Sequence, residues 1–229
     1  MTTNDELDSN LLKLFSNFKD KGPEKDYLIE QIGENDLTVI ETQKGGEGEV
    51  TFKNSYFLRF SNKLLGANKF ISFFNKKNKG YVLRKTCDGI FLTPGGDRIF
   101  LCLVEMKTKI EYSKFEEAVK QIEGSYLKTT MFLSLLTDIK DIEIVVFIAG
   151  GLEETKSDPD KSFDEKAYEY REDENNLVTM LKELCTNKQA HMNIPFFLDK
   201  DIAIHNNYKK KKIKVYHLGF GDTFDIQTL

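Results

Sequence analysis

Three side chains in the middle of this chain have the types and spacing for phosphate or metal chemistry. Asp88 lies in Thr-Cys-Asp-Gly-Ile-Phe, and Glu105-Met106-Lys107 closes the apolar run that follows it. An acid two residues before a lysine is common by itself. About five such pairs are expected from this composition, and four occur: Glu105–Lys107, Asp138–Lys140, Glu154–Lys156 and Asp164–Lys166. Glu105–Lys107 alone falls on a segment that reads as a buried strand. Burying two acids and a lysine among apolar runs costs several kcal/mol unless they are paired or bind a metal. One outcome is therefore a Glu105–Lys107 or Asp88–Lys107 salt bridge. Another is that both strands end at these positions and the charges meet water. A third is a hard divalent cation held between two carboxylates.

The geometry behind the third outcome rests on a hairpin. Tyr81–Leu92 and Ile99–Lys107 read as strands on either side of Thr93-Pro94-Gly95-Gly96-Asp97, a strong turn signal. With Gly95-Gly96 as the loop, Pro94 faces Asp97 and Asp88 faces Leu103. Side chains alternate along a strand, so Leu103, Glu105 and Lys107 share a face with Asp88. Asp88 and Glu105 become diagonal neighbours about 7–8 Å apart at the backbone. A slip of one residue would put them on opposite faces.

The surrounding elements follow from periodicity. Residues 5–20 read as a helix with an apolar stripe. Pro23 could open a second short helix through about Ile32. Leu37–Thr42 has β character and Gly45–Gly48 is a loop. Val50–Phe60 is ambiguous between strand and helix, and Leu64–Phe74 favours helix. Ser113–Leu136 is a long helix, with Ser113 as N-cap and Glu116 three residues on in a capping-box pattern. On it Glu117, Gln121, Gly124 and Lys128 share one face, which is otherwise a solvated face. Gly124 and Ser125 could let the helix approach the sheet closely. Ile142–Ala149 is almost wholly apolar, the mark of a central strand covered on both faces, with Gly150-Gly151 ending it. A helix near Asn176–Cys185 and a strand at Ile213–Gly219 complete the order. The expected fold is α/β, a mixed β-sheet flanked by helices, formed by a single domain over 1–229. The core spans about 60–150, with an acidic insertion at about 152–174.

Net charge is −4, yet it is unevenly spread. From Val50 to Cys87 there is no acid and nine basic residues are interleaved with aromatics. Glu153–Glu174 carries ten acids against four bases. Such asymmetry points to an anion-binding face, with Lys76, Lys77, Lys79, Arg84 and Lys85 as nucleic-acid contacts. Lys209–Lys212 with Lys214 form a second basic cluster. Three cysteines without a C-x-x-C and three histidines, all in the last 39 residues, argue against a zinc module and a histidine triad. The cysteines suit a reducing compartment. The polar N-terminus resembles no secretory signal, and no run is long enough to span a membrane. A cytoplasmic protein is expected.

Asp88, Glu105-x-Lys107, the hairpin and the following helix resemble the PD-(D/E)xK nuclease superfamily over roughly residues 60–150. The resemblance implies a restriction-endonuclease-like αβββαβ core with N- and C-terminal additions. It implies Mg²⁺, with Mn²⁺ as a substitute, bound by Asp88, Glu105 and the Met106 carbonyl. Lys107 would orient or deprotonate the attacking water and stabilise charge at the phosphate, its own pKa lowered beside the metal. Gln121 matches a helix glutamine of one branch, although Gln121…Tyr126 is one residue longer than that branch's spacing. Cys87 stands where the motif's proline would be. The additional acid of many members is unassigned, with Glu47 and Glu49 as nearby candidates. The implied activity is metal-dependent hydrolysis of DNA, in restriction, other defence or repair. Double-strand cutting would favour a homodimer. A binding module that no longer cleaves, and an RNA-cleaving enzyme, are the alternatives.

Overall fold

The computed structural model describes residues 29–34, 36–41, 48–61, 82, 85–95, 98–134, 142–152, 172–197 and 205–229. In these segments the chain forms two mixed sheets and two α-helices. The larger sheet contains β1 (Ile29–Glu34), β4 (Tyr56–Phe60), β5 (Gly89–Gly95), β6 (Arg98–Ile110), β7 (Ile142–Leu152), β9 (Lys210–Leu218) and β8 (Gln189–Ile194), in that spatial order. β1, β4, β5 and β6 run antiparallel to their neighbours; β6, β7 and β9 are parallel; β8 closes antiparallel on β9. The smaller sheet pairs β3 (Glu49–Lys53) with β2 (Leu37–Ile40) antiparallel and with β10 (Thr223–Asp225) parallel.

Alternation along the central strand fixes the layers. On β7, Ile142, Ile144, Val146 and Ile148 join a core with α1 (Tyr112–Leu133) and α2 (Glu172–Asn187). Val145, Phe147 and Ala149 point the other way, into a core shared with Leu37, Val39, Val50 and Phe52 of the small sheet. An apolar strand buried on both faces needs a cover on each side, here helices on one and a sheet on the other. Phe147 sits where the two sheets meet. It is fully buried, with ring centroids 4.8 Å from Phe52, 4.9 Å from Phe224 and 5.6 Å from Tyr216.

Several expectations change. Strand β1 occupies Ile29–Glu34, where a helix from Pro23 was expected. The ambiguous 50–60 stretch is two strands, β3 and β4, broken at Asn54, whose φ is +63°. Strand β5 begins at Gly89 and not near Tyr81. Helix α1 begins at Tyr112 after Glu111, so Ser113 is no N-cap; its hydroxyl donates to Glu111 Oε1 at 2.9 Å. Strand β7 continues through Gly150-Gly151 to Leu152. The 5–20 and 64–74 helices, and most of the acidic 152–174 stretch, lie outside the described residues. No helix among the described residues is long and apolar enough to cross a membrane.

Truncating the shared core residue should loosen both sheets together. Phe147→Ala is expected to cost about 3–5 kcal/mol, read as a lower denaturant midpoint with an unchanged slope.

Candidate active site

The β5–β6 ladder closes on Gly95–Arg98 and reaches Gly89–Val104 at its other end. This register is two residues from the expected one, because Gly95 stays in the ladder and pairs with Arg98. A shift of two preserves faces. Asp88 falls one residue before the ladder; its carboxyl accepts the Met106 amide and its charge acts on Glu105, which places it beside the Glu105–Lys107 stretch of β6.

The structure gathers the candidate residues. Asp88 Oδ2 accepts the Met106 amide at 2.8 Å. Lys107 Nζ lies 2.6 Å from Glu105 Oε1 and donates to Gln121 Oε1 at 2.7 Å. Gln121 Nε2 donates to the Thr86 carbonyl at 3.2 Å. Asp88, Glu105, Lys107 and Gln121 are all buried, Glu105 completely. The short Glu105–Lys107 contact is a buried ion pair in which the ammonium also hydrogen-bonds the carboxylate. The second Glu105 oxygen, Oε2, has no hydrogen-bond partner among the described residues. In a strand, a residue's N–H and C=O point toward the same neighbour, so the Met106 carbonyl faces the side that Asp88 occupies.

Helix α1 positions Asp88 by a route that the sheet does not provide. Residues 85–88 have no ladder partner, and the polar stripe of α1 takes the ladder's place. Ser125 Oγ accepts the Cys87 amide at 2.7 Å. Lys128 Nζ donates to the Lys85 carbonyl at 2.6 Å and to Thr86 Oγ1. A Cβ on Gly124 would lie 2.3 Å from the Val82 carbonyl oxygen. The close approach expected of Gly124 is thus to this segment and not to the sheet. Gln121 and Lys128 are buried against it, so this face is not solvated.

Electrostatics follow from burial and crowding. Burial raises the Asp88 carboxyl, the Met106 amide and the Lys107 ammonium oppose, and the charge of Glu41 adds to the rise. Burial and then Asp88 raise Glu105 well above the ordinary carboxylate range, with Lys107 opposing. Burial alone would lower Lys107. The carboxylates of Glu105, Glu117 and Asp88 outweigh it and hold the ammonium charged above its usual pKa. In the absence of a cation, three nearby acids favour the charged form.

Glu41 is a further acid beside the site that the sequence did not single out. It follows β2, is 7% exposed, and acts electrostatically on Asp88; Thr108 Oγ1 donates toward its Oε2 at 3.5 Å. Glu49 is exposed and Glu47 lies outside the described residues. The signal was present in the alternation: Leu37, Val39 and Glu41 share a face, and the first two are core. Arg59 was also missed; it donates to the Thr38 carbonyl at 3.1 Å and the Asp88 carbonyl at 3.5 Å, linking the small sheet to the site.

The basic residues divide. Lys85 pairs with Glu117 at 3.2 Å beside the site. Lys76, Lys77, Lys79 and Arg84 lie outside the described residues. The Lys209–Lys214 cluster does not flank the carboxylates. Glu105 aligns with Ile148 and then His217, whereas Lys214 aligns with Val145 and Cys102. Lys211 is six residues before His217, about 20 Å along the strand at ~3.3 Å per residue. Among the described residues no group of three or more His, Cys, Asp or Glu gathers closely enough to hold a metal. Magnesium asks less, being bound through one or two carboxylates with retained waters. Asp88, Glu105 and the Met106 carbonyl suit it, and the partnerless Oε2 of the buried Glu105 is the feature that fits.

Family models, curated proteins and solved structures give no match to this chain.

Lys128 supplies a pH test of how the 85–88 segment is held. Burial pushes its ammonium down to about 8 from an ordinary 10.5. Between those values the unfolded chain keeps a proton that the folded one releases, so the Lys128 contribution to stability rises with pH, by about 3 kcal/mol across the window. The buried Cys87 and Cys102 thiols, raised well above their usual pKa, act in the opposite sense. The Lys128 contribution is therefore read as the difference between wild type and Lys128→Met in urea unfolding, which should grow from pH 7.5 to 10.5.

Proposed function

We propose that this protein is a Mg²⁺-dependent nuclease that hydrolyses DNA phosphodiester bonds on a restriction-endonuclease-like core formed by β4, β5, β6, α1 and β7. The observation that carries the reading is Glu105: fully buried, within electrostatic reach of the Asp88 carboxylate, with Lys107 on Oε1 and no hydrogen-bond partner on Oε2. Two buried carboxylates are costly unless cations compensate them. Lys107, 2.6 Å from Oε1, compensates in part.

In this reading Asp88, Glu105 and the Met106 carbonyl would hold the cation, which when bound would supply charge neutralisation at the phosphate and lower the pKa of water. Lys107 would orient or deprotonate the attacking water and stabilise negative charge on the phosphoryl oxygens. Gln121 fixes the ammonium from the helix side, and Glu41 adds negative charge behind Asp88. The acid-free 50–87 stretch supplies the phosphate contacts, which gives steeply salt-dependent binding.

The Glu105–Lys107 ion pair favours a second reading, a nucleic-acid or protein binding module in which the pair is purely structural. Metal separates the two. With Mg²⁺ or Mn²⁺ the wild-type protein should nick plasmid or degrade single-stranded DNA, and chelator should stop it. Asp88→Ala and Lys107→Ala should each lose at least about 100-fold in rate while keeping the circular dichroism of the wild type. Cleavage that survives both substitutions, or ignores chelator, contradicts the nuclease reading.

A further inference from the structure

We infer that His217, acting through Gly150, is a positioning residue that fixes the backbone of Lys107 and so the place of its ammonium beside Glu105. The inference rests on the nuclease reading for its functional meaning, but its geometry stands independently.

Strands β6 and β7 pair without interruption from Ile99–Ile142 to Met106–Ala149, and then the register slips: the next pair is Lys109–Gly151. Lys107 and Thr108 therefore oppose a single residue, Gly150. This is a β-bulge, a device that re-aims a side chain where a regular ladder would not. It makes a specific demand on Gly150. The Lys107 carbonyl oxygen sits 1.8 Å from where a Cβ on residue 150 would be, and Gly150 has φ +146°. Only glycine accommodates both. The bulge and the glycine thus specify one another. At the end of this arrangement Lys107 Nζ reaches both Glu105 Oε1 and Gln121 Oε1.

A glycine in an unusual conformation needs something to hold its peptide. Here His217 does so: its Nε2 lies 2.9 Å from the Gly150 carbonyl, in a buried position. The tautomer follows from the other nitrogen. Nδ1 is 3.3 Å from Lys188 Nζ, and an ammonium can only donate. Nδ1 is then the acceptor, and Nε2 carries the hydrogen given to Gly150. Burial pushes the imidazole below its ordinary pKa, in keeping with a neutral ring. Lys188 is itself fixed: φ is +58°, its amide donates to Leu184, and its carbonyl accepts the His217 amide at 2.9 Å. The linkage runs from the end of α2, through Lys188 and His217, to Gly150 and the Lys107 bulge. In the sheet His217 and Glu105 flank Ile148 in one row, so the ring is two strands from the carboxylates. It does not touch the reacting atoms.

The test compares His217→Ala with His217→Gln, whose amide N–H can replace the lost donor. In the alanine variant, kcat for Mg²⁺-dependent DNA cleavage should fall about 10–100-fold with KM changed less than about 2-fold, the signature of a misplaced group and not of lost binding. The glutamine variant should recover most of kcat. Independently of activity, the amide resonances of Lys107, Thr108 and Gly150 in the metal-free protein should move in His217→Ala and return in His217→Gln, with those of Phe52 and Val50 unmoved. Unmoved Lys107 and Thr108 amides, or an unchanged kcat in the alanine variant, overturn the inference. So does a loss spread over the whole core that glutamine does not restore. If wild type cleaves no DNA while the amide response holds, the nuclease reading fails and the positioning of Lys107 by His217 stands.

Discussion

The structure turns on a buried charge that its surroundings only partly compensate. Glu105 is enclosed on an apolar strand, near Asp88 and paired with Lys107 through one oxygen, while its other oxygen has no hydrogen-bond partner among the described residues. Removing two carboxylates from water costs several kcal/mol even after relaxation. One ammonium returns part of that cost through Coulomb attraction. The rest of the site is built to keep these groups where they are. Gln121 holds Lys107, the Met106 amide holds Asp88, and Arg59 ties the Asp88 backbone to the small sheet.

The two layers flanking the large sheet have different tasks at this point. Helix α1 lends a polar stripe to a segment without strand partners, so that Asp88 is presented from a loop fixed as firmly as a strand. The small sheet brings a third acid, Glu41, toward Asp88 from the opposite face. The Phe147 cluster locks that sheet in place. The site therefore depends on both layers, although its residues lie on one hairpin and one helix.

Much of this was legible in the sequence. Pro94-Gly95-Gly96-Asp97 between two apolar runs marked the β5–β6 hairpin, and the all-apolar 142–149 run marked the central strand. The gathering of Asp88, Glu105 and Lys107 on the hairpin was anticipated, although the register is off by two and Asp88 lies just outside the ladder. What was not legible depends on tertiary contacts. Nothing local distinguishes the buried Gln121 and Lys128 from a solvated helix stripe, since their partners are backbone atoms some 35–43 residues earlier. The helix expected to begin at Pro23 gives way to strand β1, where pairing with β4 outweighs local propensity. Lys209–Lys214 looked like a phosphate-contacting cluster by charge alone. Parallel pairing of β9 with β7 puts it at the far end of the sheet.

The most direct measurement is crystallographic: Mn²⁺ soaked into crystals of the wild-type protein, with anomalous scattering recorded at the manganese edge. The account predicts one strong peak between the carboxyl groups of Asp88 and Glu105, within coordination distance of both and of the Met106 carbonyl, and absent from Glu105→Gln. A map with no peak there, and Glu105 held only by Lys107 in the presence of excess Mn²⁺, would contradict it.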